Sequence, residues 1–239
     1  MKTTLLVPTL NEIDGMREVM PKVKTEWVDQ ILIVDGQSTD GTAEYARSRG
    51  YDVVVQKKKG LRFAYIEGLE QAVGDVIITF SPDGNSDPER IPALVGKMKE
   101  GYDMVIVSRY TGGAKSYDDD FITGPANWIY TSLLNFLFKS NYTDACVMFR
   151  AWKKGLFYAF ELDKDKTYAF EEKILFTTMG CEQLFSIRCA KAKLKCADIP
   201  GDEPRRLGGQ RKLQLFRWGT GMLYETFRDY LFWKYEKGS

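Results

Sequence analysis

The chain has 239 residues, of which 44% are hydrophobic and 28% are charged, and its formal net charge is +1. These values are typical of a globular protein long enough to bury a core, and nothing in the overall charge points to nucleic acid. The four cysteines have no C-x-x-C spacing and histidine is absent, which excludes zinc sites and histidine-based catalysis. We find neither a signal peptide nor an apolar run of the roughly 18 residues that span a membrane. We therefore expect a cytoplasmic protein with reduced thiols, either soluble or on a membrane surface.

Short β-rich runs alternate with segments of helical length and period through the first half of the chain. The predicted strands cover 3–8, 30–34, 52–56, 76–80 and 104–108, and the predicted helices cover 12–24, 40–49, 61–73 and 88–99. This order predicts an α/β fold with a parallel sheet that is covered by helices on both faces. Ligands of such sheets bind beyond the carboxyl ends of the strands, where this chain concentrates its polar residues.

The second half of the chain has a different pattern. A helical stretch over 123–139 is followed by segments at 146–152 and 170–179, and then by predicted strands around 184–189 and 194–199. A basic, glycine-containing loop over 200–212 precedes a last helix that reaches about Tyr235. Since no linker or repeat separates the halves, we predict two lobes of a single domain, 1–239.

Residues 81–88 (SPDGNSDP) directly follow the fourth predicted strand. The carboxylate of Asp83 and the amide oxygen of Asn85 therefore emerge together at the end of a buried strand. Two such oxygens can share Mg²⁺ or Mn²⁺, and a nucleotide diphosphate can fill the open positions of that metal. The same residues also suit a Pro-Asp-Gly turn after which Ser86 or Asp87 caps a helix.

Two further strand ends carry polar segments. Residues 8–12 (PTLNE) follow the first predicted strand, and residues 35–42 (DGQSTDGT) follow the second. The carboxylate of Asp35 can accept hydrogen bonds from a nucleobase, and the helix N-terminus beyond it favours anions. Three strand ends therefore converge on one predicted crevice.

In this order and spacing, VPTLNE at 7–12, DGQSTDGT at 35–42 and SPDGNS at 81–86 resemble the nucleotide-sugar half of family 2 glycosyltransferases with the GT-A fold. Other segments resemble the polyprenyl-phosphate (dolichol-phosphate) sugar synthase branch of that family: KGLRFA at 59–64, VSRY at 107–110, TDACVMFR at 143–150 and PRRLGGQRKL at 204–213. The resemblance covers residues 1 to about 215.

The resemblance implies a Rossmann-like, mostly parallel sheet flanked by helices, with a smaller acceptor-side lobe. It implies a nucleotide-sugar-binding half at 1–110, an acceptor-side half at 111–212 and a C-terminal amphipathic helix at 213–239. The implied reaction is an inverting, metal-dependent transfer of a sugar from a nucleotide diphosphate sugar to a polyprenyl (dolichyl or undecaprenyl) phosphate. Mg²⁺ or Mn²⁺ is the implied cofactor.

Carried over residue by residue, the resemblance implies several groups of site residues. The donor would contact Pro8, Glu12, Asp35, Lys59, Asp83 and Gly84. The metal would be held by Asp83 and Asn85, and Asp83 and Arg109 would take part in catalysis. The acceptor and its phosphate would meet Asp144, Arg150, Arg205, Arg206, Arg211 and Lys212.

Three positions depart from the family pattern. Asn85 replaces a usual Asp, which implies either weaker metal binding or help from Asp87. Asn127 stands where the branch commonly has an Arg, and Met148 replaces a Gly. These departures leave open a transferase that acts on a sugar hydroxyl, for which Glu171 or Glu172 would be the catalytic base. They also leave open a nucleotide-binding module without catalysis.

Two segments lie outside these motifs. The helix predicted over 213–235 places apolar and aromatic residues mostly on one side with basic residues beside them. This pattern suits peripheral contact with the cytoplasmic face of a membrane, and it also suits packing onto the core or onto a second copy in a homodimer. The acidic run 118–120 is predicted to be a solvated loop.

Overall fold

The computed structural model describes residues 1–207 and 215–235, which contain one seven-stranded sheet. The strands are β1 (Thr3–Thr9), β2 (Gln30–Asp35), β3 (Asp52–Val55), β4 (Val76–Thr79), β5 (Met104–Ser108), β6 (Arg150–Lys153) and β7 (Cys196–Pro200). Their spatial order is β3-β2-β1-β4-β6-β5-β7. Strand β6 runs antiparallel to both of its neighbours, whereas the pairs β1·β2, β1·β4, β2·β3 and β5·β7 are parallel. The predicted, mostly parallel α/β sheet is confirmed.

Helices connect the strands and cover both faces of the sheet. The α-helices of the described chain are α1 (Ile13–Glu18), α2 (Thr42–Ser48), α3 (Leu61–Gln71), α4 (Ile91–Lys99), α5 (Thr123–Phe138), α6 (Lys154–Ala159), α7 (Ala169–Leu175), α8 (Glu182–Lys191) and α9 (Leu215–Leu231). Short 3₁₀ turns occupy Met20–Lys22, Thr25–Trp27, Pro88–Arg90 and Asp165–Thr167. The predicted helix over 12–24 is therefore shorter than expected, because Pro21 lies in one of these turns and cannot continue an α-helix.

The sheet is buried on both faces because its central strands are continuous apolar runs. Every residue of β4 and β5 is buried. Alternate side chains feed two hydrophobic cores: Leu6 and Ile77 belong to the core under α3, α5 and α8, and Leu5 and Ile78 belong to the core under α1 and α4. The two cores fix the sheet, so the loops at its carboxyl edge are presented from a rigid base.

The strand predicted around 184–189 is wrong, because these residues lie in helix α8. The alternation of apolar and polar residues in this segment imitates the period of a strand. In the helix the segment is buried on all sides, and the Arg188 side chain is accommodated by a 2.7 Å ion pair between its Nε and Asp229 Oδ2 on α9. Burial of this segment between other elements therefore favours a helix, although the local sequence pattern predicted a strand.

None of the helices within residues 1–207 and 215–235 is long and apolar enough to cross a membrane.

Candidate active site

A cleft of about 1130 Å³ opens at the carboxyl edge of the sheet. Residues at or just beyond five strand ends line it, namely Pro8 on β1, Gly36 after β2, Gln56 after β3, Asp83 after β4 and Arg109 after β5. Most of the remaining lining comes from helices α5 and α9, the start of α3, the loop that follows β7, and the segments at 146–149 and 176–183. The strand ends that the sequence predicted to converge do meet in this one cleft.

The donor-side residues predicted from the sequence divide into two layers. Pro8, Glu12 and Lys59 line the cleft. Asp35 lies behind them and is 1% exposed, and its Oδ2 accepts a hydrogen bond from the Ser38 backbone N–H at 3.0 Å. Gln56 is a lining residue that the sequence reasoning missed, although its place at a third parallel strand end could have indicated it.

Asp83 lies in a tightly packed loop that borders the cleft. The residue is 5% exposed, and the following Gly84 adopts a positive φ of 86° that favours glycine. On the other side of the loop, a Cβ at Gly15 of α1 would lie 2.1 Å from the Pro82 carbonyl oxygen. Helix α1 therefore packs against the loop backbone at a distance that only a glycine allows, and this packing fixes the position of Asp83.

The guanidinium group of Arg206 contacts the two predicted metal ligands, Asp83 and Asn85. Arg206 Nη1 lies 2.9 Å from Asp83 Oδ2, and its Nε lies 3.2 Å from Asp118 Oδ2. The Asn85 amide satisfies both neighbours when its nitrogen donates to Asp83 Oδ1 and its oxygen accepts from Arg206 Nη2 at 3.1 Å. Asp83 and Asn85 thus converge on one cationic group.

Because Asp83 and Asn85 can bind one cationic group together, they can also bind a divalent cation together. One carboxylate and one amide oxygen are hard ligands, and they suit Mg²⁺ or Mn²⁺ that completes its shell with diphosphate oxygens and water. The described residues contain no cluster of three or more His, Cys, Asp or Glu side chains that could hold a metal alone. Asp87 is engaged elsewhere, since it caps the turn at Pro88–Arg90 by accepting from Glu89 N at 3.0 Å.

Arg109 is held in a network of buried carboxylates. Its Nε lies 2.6 Å from Asp144 Oδ2, and its Nη1 lies 3.1 Å from Glu203 Oε2. Asp144 is completely buried and also accepts from Asn127 Nδ2 at 3.0 Å. Asp144 therefore orients Arg109 and Asn127, which line the cleft, rather than lining it itself.

Glu203 is a cleft residue that the sequence reasoning missed. It joins Arg109 on one side and accepts a hydrogen bond from the Ser116 hydroxyl on the other. Burial raises the pKa of Glu203 above its usual value, although the charge of Arg109 opposes that effect. No local pattern could have indicated Glu203, because its partners lie far away in the sequence.

Besides Asp35, Gly84, Asp144 and Arg205, three more predicted site residues lie outside the cleft lining. Arg150 is 2% exposed and donates to the Val147 carbonyl at 2.9 Å, the Ser186 hydroxyl at 2.8 Å and other internal acceptors. Glu171 is buried against Arg228 at 3.0 Å. Glu172 pairs with Arg62 at 3.1 Å and accepts from a backbone N–H. All three therefore have partners within the protein.

The acidic run 118–120 is not simply a solvated loop. Asp118 binds Arg206, and Asp119 accepts from the Tyr110 hydroxyl and, at 3.1 Å, from the Thr123 hydroxyl. Asp120 Oδ1 accepts from two backbone N–H groups at the start of α5, each at 2.8 Å. Each carboxylate in the run therefore binds a different set of neighbouring groups.

The far wall of the cleft is apolar. Ile129 and Leu133 of α5 form it together with Trp218, Met222 and Leu223 of α9. The same two helices also expose large apolar side chains, namely Trp128, Phe136, Phe216 and Phe227, and so do the adjoining residues Ile122 and Phe232. The sequence indicated this property for α9, whereas the contribution of α5 emerges only from the structure.

The basic residues of the last loop are only partly covered by the structure. Arg205 is exposed, and Arg206 occupies the position already described. Arg211 and Lys212 lie outside the described residues.

The chain is similar to known proteins over most of its length. Residues 4–160 match the family model described as glycosyl transferase family 2. The glycosyltransferase AglJ of Haloferax volcanii is 27% identical over 229 residues, which cover 94% of this chain and 70% of that protein. The undecaprenyl-phosphate mannosyltransferase of Micrococcus luteus is 25% identical over 95% of this chain and 98% of its own length. The dolichol-phosphate mannosyltransferase of Pyrococcus furiosus is 37% identical, over 48% of this chain and 35% of its own length.

Solved structures share the fold. The glucosyl-3-phosphoglycerate synthase of Mycobacterium tuberculosis, in complex with Mn²⁺, UDP-glucose and phosphoglyceric acid, aligns with a TM-score of 0.69 over 96% of this chain and 79% of that chain. The sequence identity is 17%, so the likeness concerns the fold alone. Another complex of the same enzyme contains Mg²⁺ and UDP. The predicted GT-A fold is confirmed.

Proposed function

The chain belongs to glycosyl transferase family 2, and from that premise we propose that it is an inverting, metal-dependent transferase that moves a sugar from a nucleotide diphosphate donor to a polyprenyl phosphate. One observation carries the proposal: a single cleft joins the strand-end donor residues to an apolar wall between α5 and α9. A polar donor and a lipid-linked acceptor can therefore meet in it.

On the donor side, the residues suit a nucleotide diphosphate sugar. Pro8, Glu12 and Lys59 border the space for the nucleoside, and the buried Asp35 supports it from behind. Asp83 and Asn85 would hold the metal, whose charge would offset that of the departing diphosphate. Mn²⁺ and Mg²⁺ complexes of a protein with the same fold support this assignment.

On the acceptor side, the positions of Glu171 and Glu172 favour a phosphate over a sugar hydroxyl. A hydroxyl acceptor needs a base, whereas an ionised phosphate does not. Both glutamates bind arginines outside the cleft lining, so neither is poised as that base. Arg109 also lines the cleft, where Asp144 and Glu203 already pair with its guanidinium and fix its position.

The apolar wall suits the lipid portion of such an acceptor. Trp218, Met222 and Leu223 would contact its hydrocarbon chain, and the exposed apolar residues Trp128 and Phe136 on α5 support peripheral contact with the cytoplasmic face of a membrane. A homodimer would cover the same surface. Relatives named for transfer to undecaprenyl and dolichol phosphates also support a lipid acceptor.

The test is transfer of labelled sugar from uridine and guanosine diphosphate sugars to a short polyprenyl phosphate, with Mn²⁺ present. We expect Asp83→Asn to lower the rate by about 100-fold or more, because a charge-stabilising contact to the leaving group is lost. Asp87→Asn is the matched control from the same motif, since Asn caps a helical turn as well as Asp does. Equal rates for wild type and Asp83→Asn would refute the metal role, and transfer only to glycan hydroxyls would refute the lipid acceptor.

A further inference from the structure

The contacts of Arg206 have a consequence for how the metal reaches its ligands. Its Nη1 lies 2.9 Å from Asp83 Oδ2, and its Nη2 lies 3.1 Å from the Asn85 oxygen when that amide is oriented to satisfy both neighbours. Asp83 is 95% buried, so it has little surface left for a second cation. Arg206 and a metal ion therefore cannot both use the same Asp83 oxygen in this arrangement.

The backbone beside Arg206 is attached to the same loop. The Leu207 N–H donates to the Asp83 carbonyl oxygen at 2.9 Å. A Cβ at Gly84 would lie 2.5 Å from the Leu207 side chain, so the loop after β7 closes directly over the glycine between the two metal ligands. We expect displacement of the Arg206 side chain to loosen this neighbouring backbone contact as well.

Asp118 gives the displaced guanidinium a second anchor. Its Oδ2 lies 3.2 Å from Arg206 Nε, whereas Asp83 and Asn85 meet the Nη atoms. Asp118 can retain Nε while the Nη atoms leave, and the diphosphate of a donor would offer those atoms new acceptors.

We propose that Arg206 is the exchange partner of the divalent cation: it holds Asp83 and Asn85 in the empty protein, and it yields them to the metal while Asp118 keeps it beside the cleft. This inference rests on the metal role of Asp83 in the proposed function. It predicts weak metal binding to the free protein and tighter binding when a nucleotide diphosphate is present to receive the guanidinium.

The experiment is a Mn²⁺ titration without nucleotide, in which the electron paramagnetic resonance signal of free Mn²⁺ reports binding. We expect Arg206→Gln to bind Mn²⁺ about tenfold more tightly than wild type, which corresponds to about 1.4 kcal/mol. Arg205→Gln removes the same charge from an exposed neighbour that has no ion pair with Asp83 among the described residues, and its affinity should stay within about twofold. In wild type, Mn²⁺ should also speed hydrogen exchange at the Leu207 amide.

Equal Mn²⁺ affinities for wild type, Arg205→Gln and Arg206→Gln would overturn the exchange, as would undetectable binding in all three proteins. If sugar transfer still required Mn²⁺ in that case, the proposed function would stand and only the role of Arg206 would fall. If transfer continued at full rate in a chelator, the metal role would fall and the exchange with it.

Discussion

Replacing Gly15 by alanine should destabilise the protein by displacing the loop that carries Asp83. The added Cβ would lie 2.1 Å from the Pro82 carbonyl oxygen and 2.9 Å from its carbon, whereas ordinary contact begins near 3.4 Å. Helix α1 and the loop must therefore separate by about 1 Å, and because both partners are backbone the cost should be about 3 kcal/mol. Alanine in a helix offsets about 1 kcal/mol of that. The net loss of about 2 kcal/mol should lower the Tm by about 4–8 °C in a chain of this size.

The matched control is Gly96→Ala in α4. Gly96 is also a helical glycine, but it is exposed and a Cβ there would meet nothing within 4 Å. The control should gain about 0.5–1 kcal/mol. Urea and thermal denaturation measure both changes, and a nucleotide titration with Mn²⁺ should show weaker binding by Gly15→Ala alone. A Gly15→Ala protein that melts at or above the wild-type temperature would refute the close packing of α1 on the loop.

Two further predictions concern buried titratable groups. Burial and the neighbouring Glu171 raise the pKa of Glu225 well above its usual value of 4.5, so the stability that its proton confers is full below that pH and is lost as the pH rises toward the raised pKa. Urea denaturation across about pH 5 to 8 should show wild type losing stability relative to Glu225→Gln, and parallel curves would contradict this. Burial raises the pKa of Cys146 to about 12, whereas a hydrogen bond with Cys189 lowers that of Cys196. Iodoacetamide near neutral pH should therefore label Cys196 before Cys146, as mass spectrometry of native protein can show; the reverse order would sink the prediction.

The sequence predicted those parts of the fold and site that depend on neighbouring residues. Runs such as Ile31-Leu32-Ile33-Val34 are buried strands because β-branched and apolar residues fill both faces of the sheet. Strand ends in a parallel sheet share one edge, which is why Glu12, Asp83 and Arg109 could be expected in one place.

Features that depend on distant residues could not be predicted in this way. The pairing of Arg206 with Asp83 joins positions 123 residues apart, and no spacing within either motif signals it. Likewise, Arg150 follows the family pattern for an acceptor contact, yet its guanidinium is enclosed by carbonyl groups that only the folded chain brings together. The apolar wall required both α5 and α9 to be placed on the same side of the cleft.

The position of β6 has a consequence for how the protein is made. Residues 150–153 insert between β4 and β5, so the edges of those two strands have no partner until the chain has been synthesised well past them. Unpaired apolar strand edges are sites of aggregation. We therefore expect the first 110 residues, expressed alone, to be insoluble, because the strand that seals the middle of the sheet is supplied by the later half of the chain.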